Sequence, residues 1–440
     1  MVGITKMKAE KQKAEKEAFF CTTKELSRLG LEQIPTQFQS HKHLIYSSPA
    51  TLAFNSPGAE GFGVKRAGLA VPDSIMLIVA PGCCGRNTSL ISSMKEYNDR
   101  FYYLMMDETD IVTGRHLKKI PKAVEEICSV CPKKPSVVMI CITCVDALLG
   151  TDMERVCKKA EEQVEIPVRP CYMYALTREG RKPPMVHVRQ SLYSLLEPGK
   201  KKGNVVNLLG FFSSLVDDCE IYDLLHSAGV KTIHEISRCK DYMEYQTMSE
   251  ANFNLVLHHE ARFAAEDFHN RLQIPFIELR RLYQIDKIEN QYHALGNALG
   301  VAFCDEKYKK QAEDALEKFR QKCPDASFAI GECLNADPFE LSLALIRYGF
   351  SVPEIYGTIT VENFTYIRSL AKISPETKVF SNMEPTMIYY DPAKSDVNLA
   401  IGKDACYYHP DCPYVMWNGE EQPYGYAGVR RLFEQLLEVV

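Results

Sequence analysis

Residues 75–89 of this chain read IMLIVAPGCCGRNTS, and they predict the type of fold. The six apolar residues at the start of the stretch predict a buried β-strand. Pro81 and Gly82 end this strand, and Cys83 and Cys84 follow in a tight turn before a helix. Side chains that follow a strand of a parallel sheet face the crevice where α/β proteins bind cofactors. The two cysteines are therefore candidate cofactor ligands, and the alternative is a plain turn with two inert thiols.

The same order of a short apolar strand and a longer amphipathic helix recurs along the chain. Buried strands that alternate with crossover helices predict an α/β fold with parallel sheets flanked by helices. We expect strands at residues 74–80, 136–142, 205–209, 254–257, 276–279, 327–330, 378–381 and 399–401. We expect helices at residues 152–163, 214–228, 260–271, 307–322 and 339–348.

The length of the chain indicates several domains, because 440 residues exceed the size at which one hydrophobic core keeps growing. The basic run EPGKKKG at residues 197–203 is typical of a linker, and a new series of helices and strands begins after Gly300. We expect an N-terminal arm and three Rossmann-like domains, each a parallel sheet flanked by helices. Their predicted bounds are 1–42 for the arm and 43–200, 201–300 and 301–440 for the domains.

Composition excludes several classes of function. The formal net charge is −5, and no basic stripe interleaved with aromatic residues is present, which argues against a nucleic-acid partner. No apolar run approaches the roughly 18 residues of a membrane-spanning helix. The lysine-rich N-terminus lacks the apolar core of a signal peptide. We therefore expect a cytoplasmic protein without a membrane partner, in which the 16 cysteines are not a disulfide framework.

A second candidate ligand also follows a predicted strand. Cys144 stands just after the strand at residues 136–142, before an apolar turn and a helix. Cys141 and Cys144 form one C-x-x-C pair, and Cys128 and Cys131 form another, so a four-cysteine zinc site is an alternative. The position of Cys141 inside a buried strand argues against the zinc site.

A third group of metal-ligand residue types is Cys406, His409 and Cys412. Zinc sites in proteins have four ligands, and this stretch offers no fourth one nearby. The pattern favours an ordinary surface loop.

Two of these stretches carry a resemblance to a known family. APGCC at residues 80–84 resembles a strand that ends in a Gly-Pro-x-Gly-Cys turn, and CVDALLGTD at residues 144–152 resembles a cysteine followed by a Leu-Ile-Gly-Asp-Asp-type turn. Both features belong to the component 1 family of nitrogenases, whose relatives include cofactor-assembly scaffolds and dark-operative protochlorophyllide reductase. Residues 164–171, 272–276 and 422–428 are also similar to family stretches. The resemblance runs in order over residues 45–440.

The resemblance implies an iron–sulfur cluster. It places Cys84 and Cys144 at two metal-ligand positions, with Cys83 as a substitute or additional ligand. A [4Fe–4S] cluster takes four thiolates, so two subunits would share one cluster in an obligate dimer or an α2β2-type tetramer. Larger clusters of the family use a further cysteine upstream, and residues 51–59, TLAFNSPGA, contain none. The resemblance therefore implies [4Fe–4S] rather than an eight-iron cluster.

The resemblance also implies partners. One is an identical or paralogous component 1 subunit, and the other is a separate ATP-hydrolysing iron protein that passes electrons to component 1. The chain itself contains no G-x-x-x-x-G-K-[ST] phosphate loop, so we expect ATP hydrolysis in the partner.

The stretch NLVLHHEAR at residues 254–262 matches the family segment that holds the nitrogenase active-site cofactor through a cysteine. His259 stands in place of that cysteine, and residues 416–423 lack the family's histidine ligand. Both departures argue against nitrogen fixation. Because histidine as a residue type can exchange protons near neutral pH, His258 and His259 are candidate catalytic residues for substrate binding or proton donation. The alternative is a helix start at which the dipole favours Glu260 and the histidines bond to the backbone.

We predict a nitrogenase-like oxidoreductase subunit that is active only with partner proteins. Its intersubunit cluster would pass electrons to a small-molecule or tetrapyrrole-type substrate. The alternative is an assembly scaffold that holds an iron–sulfur or metallocofactor precursor and hands it on without turnover. A further alternative is a metal-free α/β protein that retains only the fold.

Overall fold

The computed structural model describes residues 17–39, 48–54, 63–82, 97, 99–143, 145, 149–172 and 182–440. These residues form an α/β protein with three sheets, which confirms the predicted fold class. The strands are β1 (Phe20–Thr22), β2 (Ile75–Ala80), β3 (Phe101–Met105), β4 (Val138–Ile142), β5 (Val168–Tyr172), β6 (Val205–Leu209), β7 (Thr232–His234), β8 (Phe253–Val256), β9 (Phe276–Glu278), β10 (Ser327–Ile330), β11 (Ser351–Tyr356), β12 (Lys378–Phe380), β13 (Leu399–Ile401) and β14 (Tyr414–Val415).

The helices are numbered along the chain in the same way. They are α1 (Thr23–Leu29), α2 (Pro49–Phe54), α3 (Val64–Gly68), α4 (Glu108–Thr113), α5 (His116–Val130), α6 (Met153–Val164), α7 (Pro184–Tyr193), α8 (Glu220–Ser227), α9 (Tyr242–Gln246), α10 (Arg262–Leu272), α11 (Ile285–Leu299), α12 (Glu306–Lys322), α13 (Pro338–Arg347), α14 (Phe364–Ile373), α15 (Lys403–Tyr408) and α16 (Gly425–Val439). Of the helices described, none has the length and apolar character that crossing a membrane requires.

The first sheet has the strand order β3-β2-β4-β5 and is parallel. Strand β2 buries side chains on both of its faces: Met76 and Ile78 pack into one apolar core, and Leu77 and Val79 pack into another. A strand covered on both faces has no solvent side on which polar residues would alternate. This explains why the sequence of β2 is an unbroken run of apolar residues.

The second sheet has the order β7-β6-β8-β9 and is also parallel. Strands β6 and β8 lie side by side in its middle, with Leu209 opposite Val256 at their carboxyl ends. The Leu257 amide donates to the Leu209 carbonyl at 2.7 Å, which holds the two chains together one residue beyond the strands. The loops after β6 and β8 therefore meet at one edge of the sheet.

The third sheet has six strands in the order β1-β12-β11-β10-β13-β14. Its strands are parallel except β1, which runs antiparallel to β12 with Phe20 opposite Phe380. Helix α1 follows β1 through a capping box between Thr22 and Glu25, and it packs on α14. Residues 20–29, inside the predicted arm 1–42, therefore lie against the third sheet. The domain bounds stay a prediction.

A buried carboxylate joins the second and third parts of the chain. Glu220, at the start of α8, accepts hydrogen bonds from the amides of Tyr426 (2.6 Å) and Ala427 (3.0 Å). It also accepts one from the Tyr292 hydroxyl (2.7 Å). Free amides at the start of α16 favour an anion there. Gly425 has a φ of 57°, and a Cβ at this position would collide with the Glu220 carboxylate, so the contact requires glycine.

Candidate functional site

A cleft of about 460 Å³ lies where the carboxyl ends of β6, β8 and β9 meet the loop after β10. Helix α7 contributes to one side of it. Clefts at the carboxyl edge of parallel sheets are the usual ligand sites of α/β proteins. The lining residues are Met185, Arg189, Phe211, Phe212, Ser213, Val256, Leu257, His258, His259, Glu260, Arg262, Glu278, Leu279, Arg280, Arg281, Glu332, Leu334, Asn335, Ala336, Asp337, Pro338, Glu362, Tyr366 and Gln422.

The two histidines singled out in the sequence line this cleft directly after β8. The rings of His258 and His259 stack with their centroids 4.5 Å apart, and His258 meets the Phe211 ring edge-on at 5.8 Å. His259 is exposed, and His258 is half-buried. The structure brings both histidines to the cleft, and their role in substrate binding or proton donation stays a prediction.

A backbone hydrogen bond determines the tautomer of His258. The Glu260 amide donates to His258 Nδ1 at 3.4 Å. Because an amide only donates, Nδ1 is the acceptor and the neutral ring carries its proton on Nε2. Burial lowers the pKa of His258 well below its ordinary value, and the positive charges of Arg189 and Arg281 lower this pKa further. At neutral pH His258 is therefore uncharged, with an N–H at Nε2.

Arg189 on α7 holds the loops after β6 and β8 together. Its Nε and Nη2 donate to the Gly210 carbonyl at 3.0 and 2.7 Å. Its Nη1 donates to Glu260 Oε2 at 2.7 Å, and its guanidinium lies 4.5 Å from the Phe212 ring centroid. Arg189 is only 5% exposed. A guanidinium this deeply buried needs such partners to offset its lost hydration.

Gly210 lets the two loops approach each other. Its φ is 138°, and a Cβ at this position would lie 2.7 Å from the backbone nitrogen of His258. A backbone atom cannot rotate away from such a contact as the end of a long side chain would. Glycine is therefore required for the position of His258 relative to Arg189.

Further arginines line the cleft. Arg262 belongs to the stretch at residues 254–262 that the sequence singled out, whereas Arg280 and Arg281 were not predicted. Arg262 is neutralised by Glu278, to which it donates two hydrogen bonds of 2.5 and 2.9 Å. Arg280 is exposed and makes no ion pair with any residue that the structure describes. The available signal was the pair of adjacent arginines at 280–281, directly after a predicted strand.

Arg281 carries a positive charge that the described protein does not neutralise. Its Nη2 donates to Gln422 Oε1 at 2.6 Å, and its guanidinium lies 4.4 Å from the Phe211 ring centroid. Its buried Nε has no hydrogen-bond partner, and no carboxylate of the described residues pairs with it. A partly buried charge without a counter-charge is unfavourable, so this side of the cleft favours an anionic group.

Two acids from the third part of the chain also line the cleft, and both are engaged in structural hydrogen bonds. Glu332 accepts from the amide (2.9 Å) and the hydroxyl of Thr358. Asp337 caps α13 by accepting from the amides of Phe339 (2.9 Å) and Glu340 (3.0 Å). Burial raises the pKa of Glu332 and of Asp337. These acids therefore hold backbone in place, and they do not neutralise Arg281.

The cysteines predicted to bind a cluster, Cys83, Cys84 and Cys144, lie outside the described residues. The strands that lead to them are described. Strands β2 and β4 are direct neighbours, with Val79 opposite Ile142. The chain therefore leaves the first sheet at two adjacent points of one edge, and the ligand assignment stays a prediction.

Two further cysteines that the sequence offered as zinc ligands, Cys141 and Cys131, are described by the structure. Cys141 is fully buried in β4 and stands opposite Cys171 of β5. Cys131 follows α5, and its thiol lies 3.1 Å from the Tyr102 hydroxyl. In the part of the chain that the structure describes, no three His, Cys, Asp or Glu side chains are grouped so that they could hold a metal ion.

The interpretation of this stretch as a surface loop is wrong for Cys406, which is buried in α15, and for His409, which is buried beside the third sheet. The exposed fraction of His409 is 3%. Its Nε2 lies 3.1 Å from Glu354 Oε2 and 2.8 Å from Tyr390 Oη. The Tyr356 hydroxyl donates to the same carboxylate at 3.0 Å. Glu354 and Tyr356 of β11 and the separate Tyr390 surround the ring. They are distant from His409 in sequence, so no local pattern could predict these contacts.

The described residues form an α/β protein with a cleft at the carboxyl edge of its parallel sheets. A family model described as Nitrogenase component 1 type Oxidoreductase matches residues 60–440. The chain belongs to this family, as the motifs at residues 80–84 and 144–152 predicted.

Several curated relatives are described as nitrogenase iron-molybdenum cofactor biosynthesis protein NifE. The one from Sinorhizobium fredii (strain NBRC 101917 / NGR234) is 25% identical over 418 residues, which cover 89% of this chain and 82% of the relative. The one from Nostoc sp. (strain PCC 7120) is 25% identical over 284 residues, which cover 61% of this chain and 58% of the relative.

Solved nitrogenase structures share the fold. Nitrogenase Cp1 at pH 6.5 matches with a TM-score of 0.68 and 18% identity, covering 90% of this chain and 92% of the other. Nitrogenase Cp1 at pH 5 matches with a TM-score of 0.59 and 15% identity, covering 93% and 96%. At these identities the likeness concerns the fold alone.

Proposed function

We propose that this chain is an assembly subunit that holds an iron–sulfur or metallocofactor precursor in the cleft and hands it on without turnover. One observation carries the proposal: the described lining offers imidazole and guanidinium groups but no cysteine. The relatives described as cofactor biosynthesis proteins support it. The main expectation from the sequence, a reductase, becomes the second candidate.

The residues of the cleft fit a loosely held anionic cluster. The exposed His259 would supply an imidazole nitrogen, a ligand that suits iron. Arg281, which has no carboxylate partner in the described chain, would face the anionic surface of the cluster. Permanently held iron–sulfur clusters use a set of four protein ligands. One imidazole together with electrostatic contacts holds less firmly, which suits a precursor that has to leave.

A resident [4Fe–4S] cluster is proposed at the edge of the first sheet. Cys84 and Cys144 would be its ligands, with Cys83 as a substitute or additional ligand. An identical or paralogous subunit would complete the set of four. The neighbouring ends of β2 and β4 support this proposal.

The family description as an oxidoreductase favours the second candidate, a reductase subunit. In that case a separate ATP-hydrolysing iron protein would supply electrons, and the substrate would be a small molecule or a tetrapyrrole. His258 and His259 would be the candidate catalytic residues. The lowered pKa of His258 makes this ring a hydrogen-bond donor at neutral pH rather than a store of a transferable proton.

Anaerobic purification followed by iron and sulfide analysis tests the cluster at the first sheet. We expect the wild-type chain with its partner subunit to show charge-transfer absorbance in the visible range. The double variant Cys84→Ala/Cys144→Ala should lose this absorbance. Cys304→Ala is the matched control, because it removes one exposed thiol. A full cluster in the double variant would show that other residues are the ligands.

Transfer of labelled iron distinguishes the assembly subunit from the reductase. The chain is loaded with a ⁵⁷Fe-labelled precursor and incubated with a cluster-free acceptor of the same family. An assembly subunit passes its label on once per loaded site and reduces no substrate when an iron protein and ATP are added. Retention of the label with repeated ATP-dependent turnover would instead establish the reductase.

Light scattering on the cluster-loaded protein tests the shared cluster. We expect a dimer or an α2β2-type tetramer, because one chain supplies two or three of the four ligands. A stable monomer with a complete cluster would show that one chain provides every ligand.

A further inference from the structure

A second cavity, of about 550 Å³, adjoins the cleft, and Arg280 and Tyr366 line both. We call it the helical groove, because helices α11, α13 and α14 provide most of its walls. Its residues are Arg280, Leu282, Gln284, Lys287, Leu343, Arg347, Thr365, Tyr366, Ser369, Lys372 and Ile373.

Every charged side chain of the helical groove is positive: Arg280, Lys287, Arg347 and Lys372. Arg347 has a carboxylate partner, since its Nη2 donates to Asp286 Oδ2 at 2.9 Å. The other three make no ion pair with any residue in the described part of the chain. The groove is thus a concentrated positive site on a protein whose net charge is −5, and it attracts anions.

The groove also contains apolar surface. Leu282 and Leu343 line it and are 9% and 7% exposed. Ile373 lines the groove with 50% of its area exposed. Burying this surface beneath an apolar ligand is favourable. The hydroxyls of Thr365 and Ser369 add hydrogen-bonding groups beside it.

We propose that the helical groove binds a small organic anion. The apolar body of this ligand would cover Leu282, Leu343 and Ile373, and its carboxylate or phosphate groups would pair with Lys287 and Lys372. Small-molecule sites have volumes of about 300–1,000 Å³, and the groove falls within that range. The proposal does not depend on a cluster in the cleft.

The size of the groove favours a small molecule over an acidic partner helix. Its volume of about 550 Å³ lies in the range of small-molecule sites. The exposed apolar surface is also confined to one large side chain, Ile373. A partner helix would need a longer apolar stripe.

Calorimetric titration of the full chain with 1-naphthyl phosphate tests the proposal, with 1-naphthol as the neutral probe. We expect 1-naphthol to bind at least about tenfold more weakly, because it lacks the charge that the lysines recognise. The variant Lys287→Glu/Lys372→Glu should weaken binding of the phosphate by about tenfold or more. Lys310→Glu/Lys318→Glu makes the same change in net charge on exposed positions of α12 and should stay within about twofold of wild type.

Three results would overturn the proposal. Equal affinity for the two naphthyl compounds would show that apolar contact alone drives binding. An equal loss of affinity for 1-naphthyl phosphate in both double lysine variants would show that the net charge of the protein, and not the groove, determines binding. Binding of an acidic amphipathic peptide that is lost in Lys287→Glu/Lys372→Glu, with no binding of 1-naphthyl phosphate to the wild-type chain, would assign the groove to a protein partner. Circular dichroism confirms that each variant is folded, and replacement of exposed lysines leaves the cores intact.

Discussion

The cleft and the interior of the third sheet each contain a histidine beside a glutamate, in opposite surroundings. His258 Nδ1 and Glu260 Oε2 lie 3.7 Å apart next to a cavity of about 460 Å³. His409 Nε2 and Glu354 Oε2 lie 3.1 Å apart, and their side chains are 2% and 3% exposed. The residue types are the same, and only the second pair is enclosed by protein on every side.

The two pairs differ in where their hydrogen bonds go. The hydroxyls of Tyr356 and Tyr390 donate to the Glu354 carboxylate at 3.0 and 2.6 Å, so the buried pair is satisfied within the protein. At the cleft, Arg189 neutralises Glu260, and the exposed imidazole of His259 makes no hydrogen bond with any residue that the structure describes. Groups that the fold leaves without partners beside a cavity are available to a ligand, whereas enclosed groups stabilise the fold.

The largest effect is expected at the buried pair. His409→Ala leaves the Glu354 carboxylate buried without its partner and should lower the free energy of unfolding by about 3 kcal/mol. His258→Ala leaves Glu260 paired with Arg189 and should cost only about 1 kcal/mol. Urea unfolding followed by the fluorescence of Trp417, the single tryptophan, measures both. Equal losses of unfolding free energy in His409→Ala and His258→Ala would contradict the proposed difference between the buried pair and the cleft pair.

The next effect concerns the backbone beneath His258. Gly210→Ala places a methyl group against the His258 backbone at a φ that favours glycine, and it should destabilise the protein by about 2 kcal/mol. Gly419→Ala is the control, because nothing lies within 4 Å of a Cβ there. This control should change the free energy of unfolding by less than about 0.5 kcal/mol. An unchanged free energy of unfolding in Gly210→Ala would mean that the loops after β6 and β8 can move apart without loss of stability.

His259 separates ligand binding from stability. His259→Ala removes an exposed ring and should change the free energy of unfolding by less than about 0.5 kcal/mol. Retention of a ⁵⁷Fe-labelled precursor should nevertheless fall by about tenfold, because a ligand atom is lost. His269→Ala, which removes another exposed histidine on α10, should retain wild-type loading. Unchanged loading in His259→Ala would exclude this residue as a ligand.

The smallest effect is on the pH dependence of stability. The pKa of His258 is lowered from 6.5 in the folded protein, so the unfolded chain binds more protons below pH 6.5. Above pH 6.5 His258 is neutral in both states, and its contribution to the free energy of unfolding is complete. This contribution is lost as the pH falls from 6.5 towards the lower pKa of His258 in the folded protein. His258→Gln should therefore show a shallower rise of the urea midpoint between about pH 5 and 7.

The buried pair responds in a different pH range. Hydrogen bonds from His409 and Tyr390 outweigh desolvation and lower the pKa of Glu354 from 4.5. The ionised Glu354 therefore contributes to the free energy of unfolding above pH 4.5. This contribution is lost as the pH falls through the pKa of Glu354 in the folded protein. Glu354→Gln should thus keep the wild-type slope between about pH 5 and 7. A slope in His258→Gln equal to that of wild type would contradict the assignment to His258.

Most strands inside a sheet were predicted, although the central strand β11 was missed. Among the edge strands described, β9 was predicted, and β3 and β5 were not. Strands β6 and β10 begin and end where the apolar runs at residues 205–209 and 327–330 do. Strand β3 is an edge strand with mostly half-exposed residues, and β5 contains Arg169 and Pro170. An edge position tolerates proline because its amide has no strand partner to bond, and the resulting sequence does not read as a strand.

One helix was predicted too long. The pattern at residues 214–228 suggested a helix throughout, whereas α8 begins at Glu220. The amide of Leu215 donates to Glu235, and the amide of Val216 donates to the carbonyl of Gln422. Because Leu215 and Val216 bond to these residues, which are distant in sequence, they do not join the helix. Local helix propensity could not predict this later start of α8.

By itself, the sequence determined the α/β class and the position of His258 and His259 after a strand, because apolar period and strand ends are local properties of the chain. Only the tertiary structure decided which histidine is enclosed and which lines a cleft. Burial depends on residues brought from elsewhere: Glu354 lies 55 positions from His409, and Arg189 lies 71 positions from Glu260. Such contacts form when the sheets pack against each other, and a single sequence contains no period or spacing that records them.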